Sequence, residues 1–337
     1  MKKVLALALS FVLVICLAAC GSADNNAAGG DSGVETEGTV TEIINIAALN
    51  GPTGMGMVNL MDMPDKYAVT TYQAPTDIAP KLISGEVDVA CMPSNMAAML
   101  YNKTGGEVQL ISPMVMGVLY ILGNNTALPA LAGLNCLRGQ TIYASGKGGT
   151  PEYALQAILE SAGLKIYEDV NVEWLASHAD VNAKLLSEEG YLAMVPEPFV
   201  SVASNKGDHV STIFDMNEEW AKATGEDFPM GVLLVRKEYA ADHMDDLKVM
   251  LTDLESSIED VNSASDEICD KLVEKGFLGD ASVAASVIPN CHLTLYTGDR
   301  YEEGKAMMEK FNQIMYDVNP DSVGGALPKD DMFCKAN

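Results

Sequence analysis

The sequence predicts an α/β protein built from two similar lobes, and three observations lead there. Apolar runs of strand length alternate with stretches of helical spacing from about residue 43 to residue 235. A pattern that ends one strand at a proline recurs 103 residues later without a gap, and a glycine-rich turn follows a strand at a corresponding place in each half.

The chain opens with segments that take no part in that fold. Met1-Lys2-Lys3 is basic and Val4 to Leu17 is apolar apart from Ser10, the composition of a signal peptide too short to anchor stably in a bilayer. It ends in Leu17-Ala18-Ala19-Cys20-Gly21, which resembles the bacterial lipobox, so residues 1–19 are expected to be removed and Cys20 to carry lipid. From Gly21 to Thr41 hardly an apolar residue occurs, and residues 20–41 read as a flexible tether. No later segment has eighteen uninterrupted apolar residues, so lipid is the anchor expected, on the extracytoplasmic face of a cell membrane.

Composition narrows the partners. With 47 acidic against 21 basic residues the formal charge is −26, and removing Lys2 and Lys3 with the leader makes the balance more acidic. Nucleic acid is not expected, because phosphate binding needs clustered basic side chains and the arginines are only Arg138, Arg236 and Arg300. Such acidity suits the solubility of an exported protein. Once Cys16 is removed and Cys20 lipidated, Cys91, Cys136, Cys269, Cys291 and Cys334 remain, with no CxxC spacing. At least one thiol is then free, no zinc site is expected, and Cys91 and Cys136, beside apolar runs, read as small core hydrophobes.

Strands are predicted at Ile43–Leu49, Ala68–Tyr72, Val87–Cys91 and Gln109–Ile111, with helices between them at Asp77–Ile83 and Asn95–Tyr101. A second series follows at Thr141–Ala144, Val172–Leu175, Tyr191–Val195 and Val210–Phe214, with helices near Pro151–Ala162 and Ala179–Ser187. Alternation of this kind implies parallel sheets covered by helices. Beyond Tyr239 the pattern changes to long helices, with three-to-four-residue apolar spacing at Asp245–Val261 and Arg300–Met315. The repeated pattern is Ser84-Gly-Glu-Val-Asp-Val-Ala-Cys-Met-Pro93-Ser94 against Ser187-Glu-Glu-Gly-Tyr-Leu-Ala-Met-Val-Pro196-Glu197.

The two turns are Asn50-Gly51-Pro52-Thr53-Gly54-Met55 after the first strand and Ser145-Gly-Lys-Gly148-Gly149-Thr150 after the strand at 141. Both belong at the carboxyl ends of parallel strands, where open α/β sheets bind ligands. Free N–H groups at a helix start favour an anion or a carbonyl oxygen, and glycine lets a ligand approach the backbone. Thr53 and Thr150 serve as ligand contacts or as N-caps. The Walker pattern fails, since Thr141 stands where it needs glycine and Gly148 follows Lys147; Gly51, Gly54 and Gly56 are not in GxGxxG order. The four histidines form no HExxH pair and read as surface residues, and Ser145 is not in GxSxG. No catalytic residue, metal or cofactor is expected.

Other candidates flank the turns. Ser94 and Asn95 are ligand contacts or plain N-caps; Glu197 pairs with an amine-bearing ligand or favours its helix N-terminus. Trp174 stacks on a ring or caps the core. Met55, Met57, Met61, Met92, Met96 and Met99 are packing residues or the lining of an adaptable apolar pocket.

The segment Leu137-Arg-Gly-Gln-Thr-Ile-Tyr-Ala-Ser-Gly-Lys-Gly-Gly-Thr-Pro-Glu-Tyr-Ala-Leu-Gln-Ala-Ile-Leu-Glu-Ser-Ala-Gly-Leu164 resembles the extracytoplasmic binding proteins of ABC importers for nitrate, sulfonates, taurine and thiamine pyrimidine precursors. Gly85-Glu-Val-Asp-Val-Ala, Pro196-Glu-Pro-Phe199 and Gly231-Val-Leu-Leu-Val-Arg-Lys-Glu-Tyr239 fit the same family, in its order, over most of residues 43–275. The resemblance implies a type II periplasmic-binding-protein fold, two α/β lobes joined by two crossing strands near Met116–Gly123 and Met230–Val235. Lobe 1 would comprise residues 42–118 and 231–337, and lobe 2 residues 119–230. It implies ligand seats at Asn50 to Met55, Ser94, Asn95, Gly148 to Thr150 and Glu197, a monomer, an ABC permease as partner, and binding without covalent chemistry. The ligand expected is a small, partly apolar organic molecule with a carboxylate, sulfonate or heterocyclic polar group. Pyrimidine-synthesising relatives carry a cysteine-rich motif absent here. An exported enzyme on a binding-protein fold and a ligand-sensing signalling subunit remain the alternatives.

Overall fold

The structure, a computed structural model, describes residues 38–125, 130–187, 189–207 and 209–336, with side chains left aside at 130–132. The predicted signal peptide, Cys20 and most of the tether lie outside the described residues. Thr41 is not free: its N–H and hydroxyl donate to the Asp246 carboxylate at 2.9 and 2.6 Å.

The chain begins its first sheet with β1 (Ile44–Leu49), α1 (Pro52–Met55), β2 (Tyr67–Tyr72), α2 (Pro75–Ser84), β3 (Val89–Pro93), α3 (Ser94–Thr104) and β4 (Val108–Met116). It then builds a second sheet from β5 (Leu119–Asn124), β6 (Thr141–Ala144), α4 (Thr150–Ser161), β7 (Asn171–Trp174), α5 (His178–Ser187), β8 (Leu192–Pro196), α6 (Phe199–Lys206), β9 (Val210–Asp215) and α7 (Met216–Thr224). β10 (Pro229–Arg236) returns to the first sheet, followed by α8 (Lys237–Asp242), α9 (Met244–Ser263), α10 (Asp266–Glu274), α11 (Ala281–Val287) and α12 (Tyr301–Val318).

The strand orders are β2-β1-β3-β10-β4 and β7-β6-β8-β5-β9. Pairing β1 with β6, β2 with β7, β3 with β8, β4 with β9 and β10 with β5 makes the two orders identical. The repeat holds to the residue. α2 ends at Ser84 and α5 at Ser187, β3 ends at Pro93 and β8 at Pro196. Ile46 pairs with Val89, and its counterpart Ile142 pairs with Leu192, the residue 103 positions beyond Val89. The sheets depart from the expected parallel arrangement in one strand each: β10 runs antiparallel to β3 and β4, and β5 antiparallel to β8 and β9. Each antiparallel strand is the one that arrives from the other sheet, so the chain crosses twice, at Gly117-Val118 and just before Pro229.

Local chemistry explains where the helices bordering these strands stop and start. α2 begins with Pro75 at its first turn, where the missing N–H costs nothing, and ends at Gly85, whose φ of 80° only glycine adopts freely. Ile44, Ile46 and Ala48 of β1 face α9, whose Leu247, Met250, Leu251, Leu254 and Ile258 repeat at helical spacing. Ala47, on the opposite side of the pleat, joins Ile78 of α2 and Ala97 of α3 in another core. That core does not stop at the first sheet. It runs through Met308, Phe311 and Met315 of α12 to Leu155 of α4 and to Ile142 and Leu192 of the second sheet. The five cysteines among the described residues are free; Cys91 is fully buried and Cys136 half-buried. Among the described residues no helix is long and apolar enough to cross a membrane.

Trp220 of α7 anchors the shared core. It is fully buried, stacks on Phe228 with ring centres 4.7 Å apart, touches Phe311 of α12 at 5.9 Å, and donates its indole N–H to Asp227 O at 3.0 Å. Trp220→Ala should cost about 3–5 kcal/mol in urea unfolding. A loss under about 1 kcal/mol, the mean for an ordinary substitution, would contradict this packing role.

Candidate functional site

A cavity of about 790 Å³ opens where the carboxyl ends of the parallel strands in both sheets face each other. Its walls come from four strand ends: Leu49 to Thr53 after β1, Met92 and Pro93 ending β3, Gly146 to Gly149 after β6, and Pro196 and Glu197 after β8. The chain on either side of the two crossings supplies Val115, Val118, Leu119, Met230 and Gly231. A further wall comes from helix faces. Pro75, Thr76, Ala79, Pro80 and Ile83 recur along one side of α2, and Met96, Met99, Leu100 and Lys103 along one side of α3.

The two glycine-rich turns divide into parts that meet the cavity and parts that pack behind it. A side chain at Gly51 would meet nothing within 4 Å, so this glycine bares the backbone to the cavity. At Gly54 it would strike Leu49 O and the Phe277 ring, both at 2.6 Å; this glycine serves packing. Met55, one residue on, is fully buried in the core under α9. In the second turn Gly148 and Gly149 line the cavity. The Gly148 N–H, however, already donates to the Glu152 carboxylate at 2.6 Å, and the Gly149 N–H to Gly146 O at 3.0 Å.

Behind that turn lies a bond between the halves. The Asn95 N–H donates to Thr150 Oγ1 at 3.2 Å, and the Thr150 hydroxyl donates back to Asn95 Oδ1 at 3.1 Å. The Asn95 amide also donates to Ser322 O at 3.0 Å. Both side chains are wholly buried, so water does not compete with these bonds. The first residues of α3 and α4 are thereby pinned to each other across the mouth of the cavity's inner end.

Two titratable groups face the cavity from the second sheet. Glu197 is 2% exposed and takes the Ser201 hydroxyl at 2.9 Å and the Ser201 N–H at 3.1 Å. Burial holds its carboxyl above the usual carboxylate range, with the Ser201 bonds, the Asn290 amide and the nearby His292 opposing. His178 begins α5, bonds Ser145 Oγ through Nδ1 at 2.6 Å and lies against Phe199. Burial lowers its pKa to about 4, so the imidazole is neutral near pH 7.

Of the residues singled out in the sequence, Asn50, Gly51, Pro52, Thr53, Gly148, Gly149 and Glu197 meet on the cavity wall. Gly54, Met55, Ser94, Asn95, Thr150 and Trp174 do not. Ser94 is fully buried with its hydroxyl unpartnered, and Asn95 and Thr150 spend their polar atoms on each other. Trp174, half-buried at the end of β7, packs against the core, the second of the two roles expected for it, and donates to the Tyr167 hydroxyl at 2.9 Å. His178, read as a surface residue, is instead part of the wall, as are Phe199 and the α2 face. The position of His178 at a helix start was visible in the sequence; its contact with Ser145, 33 residues away, was not.

Asn95→Ala would strand Thr150 and Ser322 O, with an expected loss of about 1–3 kcal/mol and a larger radius of gyration in small-angle scattering. No change in either would show that the pair does not hold the halves together. For His178 the sign follows from its lowered pKa. Above pH 6.5 the folded and unfolded chains both hold it neutral. As pH falls from 6.5 toward 4 only the unfolded chain takes up the proton, so stability is lost over that window. Urea unfolding at pH 7 and pH 4.5 should therefore show a smaller acid-induced loss in His178→Gln than in the wild type, and equal losses would contradict the buried neutral imidazole.

Comparison with known proteins points the same way as the geometry. Residues 164–315 match the sequence model of a family described as menaquinone biosynthesis. No curated protein matches the chain. Among solved structures, an ABC transporter protein of Parabacteroides distasonis is 21% identical over 88% of this chain and 100% of its own, with a TM-score of 0.72. The alkanesulfonate-binding protein SsuA of Xanthomonas axonopodis pv. citri, bound to MOPS, is 15% identical over 88% of this chain and 100% of its own, at 0.68. The periplasmic nitrate-binding protein NrtA of Synechocystis PCC 6803 is 11% identical over 84% of each chain, at 0.62. With two five-stranded sheets of one topology joined by two crossings, the chain has the type II periplasmic-binding-protein fold of these ABC-transporter binding proteins.

Proposed function

We propose that the chain is an extracytoplasmic solute-binding lipoprotein of an ABC importer, which captures a small, partly apolar organic molecule and delivers it to a membrane permease. The observation that carries this reading is the cavity, walled by the strand ends of both sheets, in a fold whose solved examples include binding proteins for sulfonates and nitrate. Residues 42–118 with 231–337 would move as one lobe and 119–230 as the other, turning about the crossings at Gly117-Val118 and before Pro229. The Asn95–Thr150 pair would then form on closure. The leader and the lipobox-like Leu17 to Gly21 support a lipid anchor at Cys20.

A second reading, an exported enzyme on the same fold, draws on the family match at residues 164–315, whose description is biosynthetic. The nucleophile–base contact nearest the cavity is Ser145 with His178. Ser145 is buried behind the wall and is not part of it, which disfavours that reading.

Calorimetric titration with a metabolite panel separates the two. Stoichiometric binding with the compound recovered unchanged supports the importer; a converted compound refutes it. Gly51→Leu places a side chain in the cavity without touching the fold. Against any ligand so found it should weaken binding at least about tenfold, while stability stays within about 0.5 kcal/mol of the wild type. Unchanged affinity would remove Asn50 to Thr53 from the seat.

A further inference from the structure

The sequence leaves the polar end of the ligand open among carboxylate, sulfonate and heterocycle, and the named solved relatives bind sulfonates and nitrate. This cavity's own wall narrows the choice. In the second turn, the two glycine N–H groups on the wall are already occupied by this chain: that of Gly148 by Glu152 and that of Gly149 by Gly146 O. α1, at four residues, is a single turn with no useful dipole. The buried charged side chain on the wall is an acid, Glu197, while the cations Lys103 and Lys147 stand exposed at the rim. An organic anion entering here would lose its hydration and meet a carboxylate.

The cavity's shape adds a second constraint. From Pro75 to Ile83 it follows α2 for about 12 Å, at 1.5 Å of rise per residue. Ala79 and Ile83 line that side, with Met96 and Met99 of α3 opposite. Methionine side chains adapt to an inserted chain at little strain. Ile83, half-exposed, marks the open end of the trench.

We infer that the cleft selects an amphiphile whose uncharged or cationic, hydrogen-bond-donating head meets Glu197 and whose extended apolar tail lies in the trench between α2 and α3. Glu197 takes two bonds from Ser201 and is approached by the Asn290 amide, so of its four lone-pair positions at least one is left for such a donor. His178, on the same wall, is neutral near pH 7 and adds no positive charge that would favour an anion, while His292, which approaches Glu197, is not on the wall. This inference rests on the solute-binding reading and narrows its ligand.

The test is calorimetric titration with n-octylamine, n-butylamine and 1-octanesulfonate, which separates head from tail. Octylamine should bind at least about tenfold tighter than octanesulfonate, and tighter than butylamine by roughly fourfold per added methylene. Glu197→Gln should erase the preference for amine over sulfonate and leave the octyl-to-butyl ratio; Met99→Ser should do the reverse. The wild-type contrasts decide the matter even where a variant fails to fold. Octanesulfonate binding as tightly as octylamine would overturn the inference while leaving a solute-binding protein. Equal affinity for the two amines, or no octylamine binding, would overturn it as well.

Discussion

The structure turns on how the helix starts around the cleft are satisfied. At three of them a side chain of the same protein accepts a backbone N–H: Thr150 at α3, Glu152 beside the start of α4 and Glu197 at α6. One of these, the Asn95–Thr150 pair, does so across the two sheets. It settles local polarity and the relation of the halves in a single buried contact.

That contact is backed by packing. α12 places Met308, Phe311 and Met315 in a core that reaches both sheets, so the halves meet through apolar surface as well as through the polar pair. On the other side of the first sheet, α9 to α11 complete a separate core with β1. The first sheet is thus held on both faces, and the second carries most of the residues that contribute charge to the cavity.

Much of the fold was legible in the sequence because the repeat is strict. The 103-residue offset that aligned Pro93 with Pro196 reappears in the sheet register, and the long helices after Tyr239 follow their apolar spacing. The antiparallel strands were not legible, since Leu119–Asn124 and Pro229–Arg236 read as buried strands whatever their direction. Within the site, Gly51 and Gly54 look alike in sequence. Only the position of Phe277, more than two hundred residues later, shows that one faces the cavity and the other a ring. The same holds for Asn95 and Thr150, which sit at the right helix starts yet face each other, and for His178, whose partner comes from another loop.

The central claim is that this cavity holds a molecule bound without reaction. Native mass spectrometry of the protein as purified from its expression host, compared with the same sample after denaturation, tests it most directly. The account predicts a mass excess of one small organic molecule per chain, lost on denaturation, recovered intact and absent from Gly51→Leu. A ligand that persists unchanged in Gly51→Leu, or one recovered as a converted product, would contradict it.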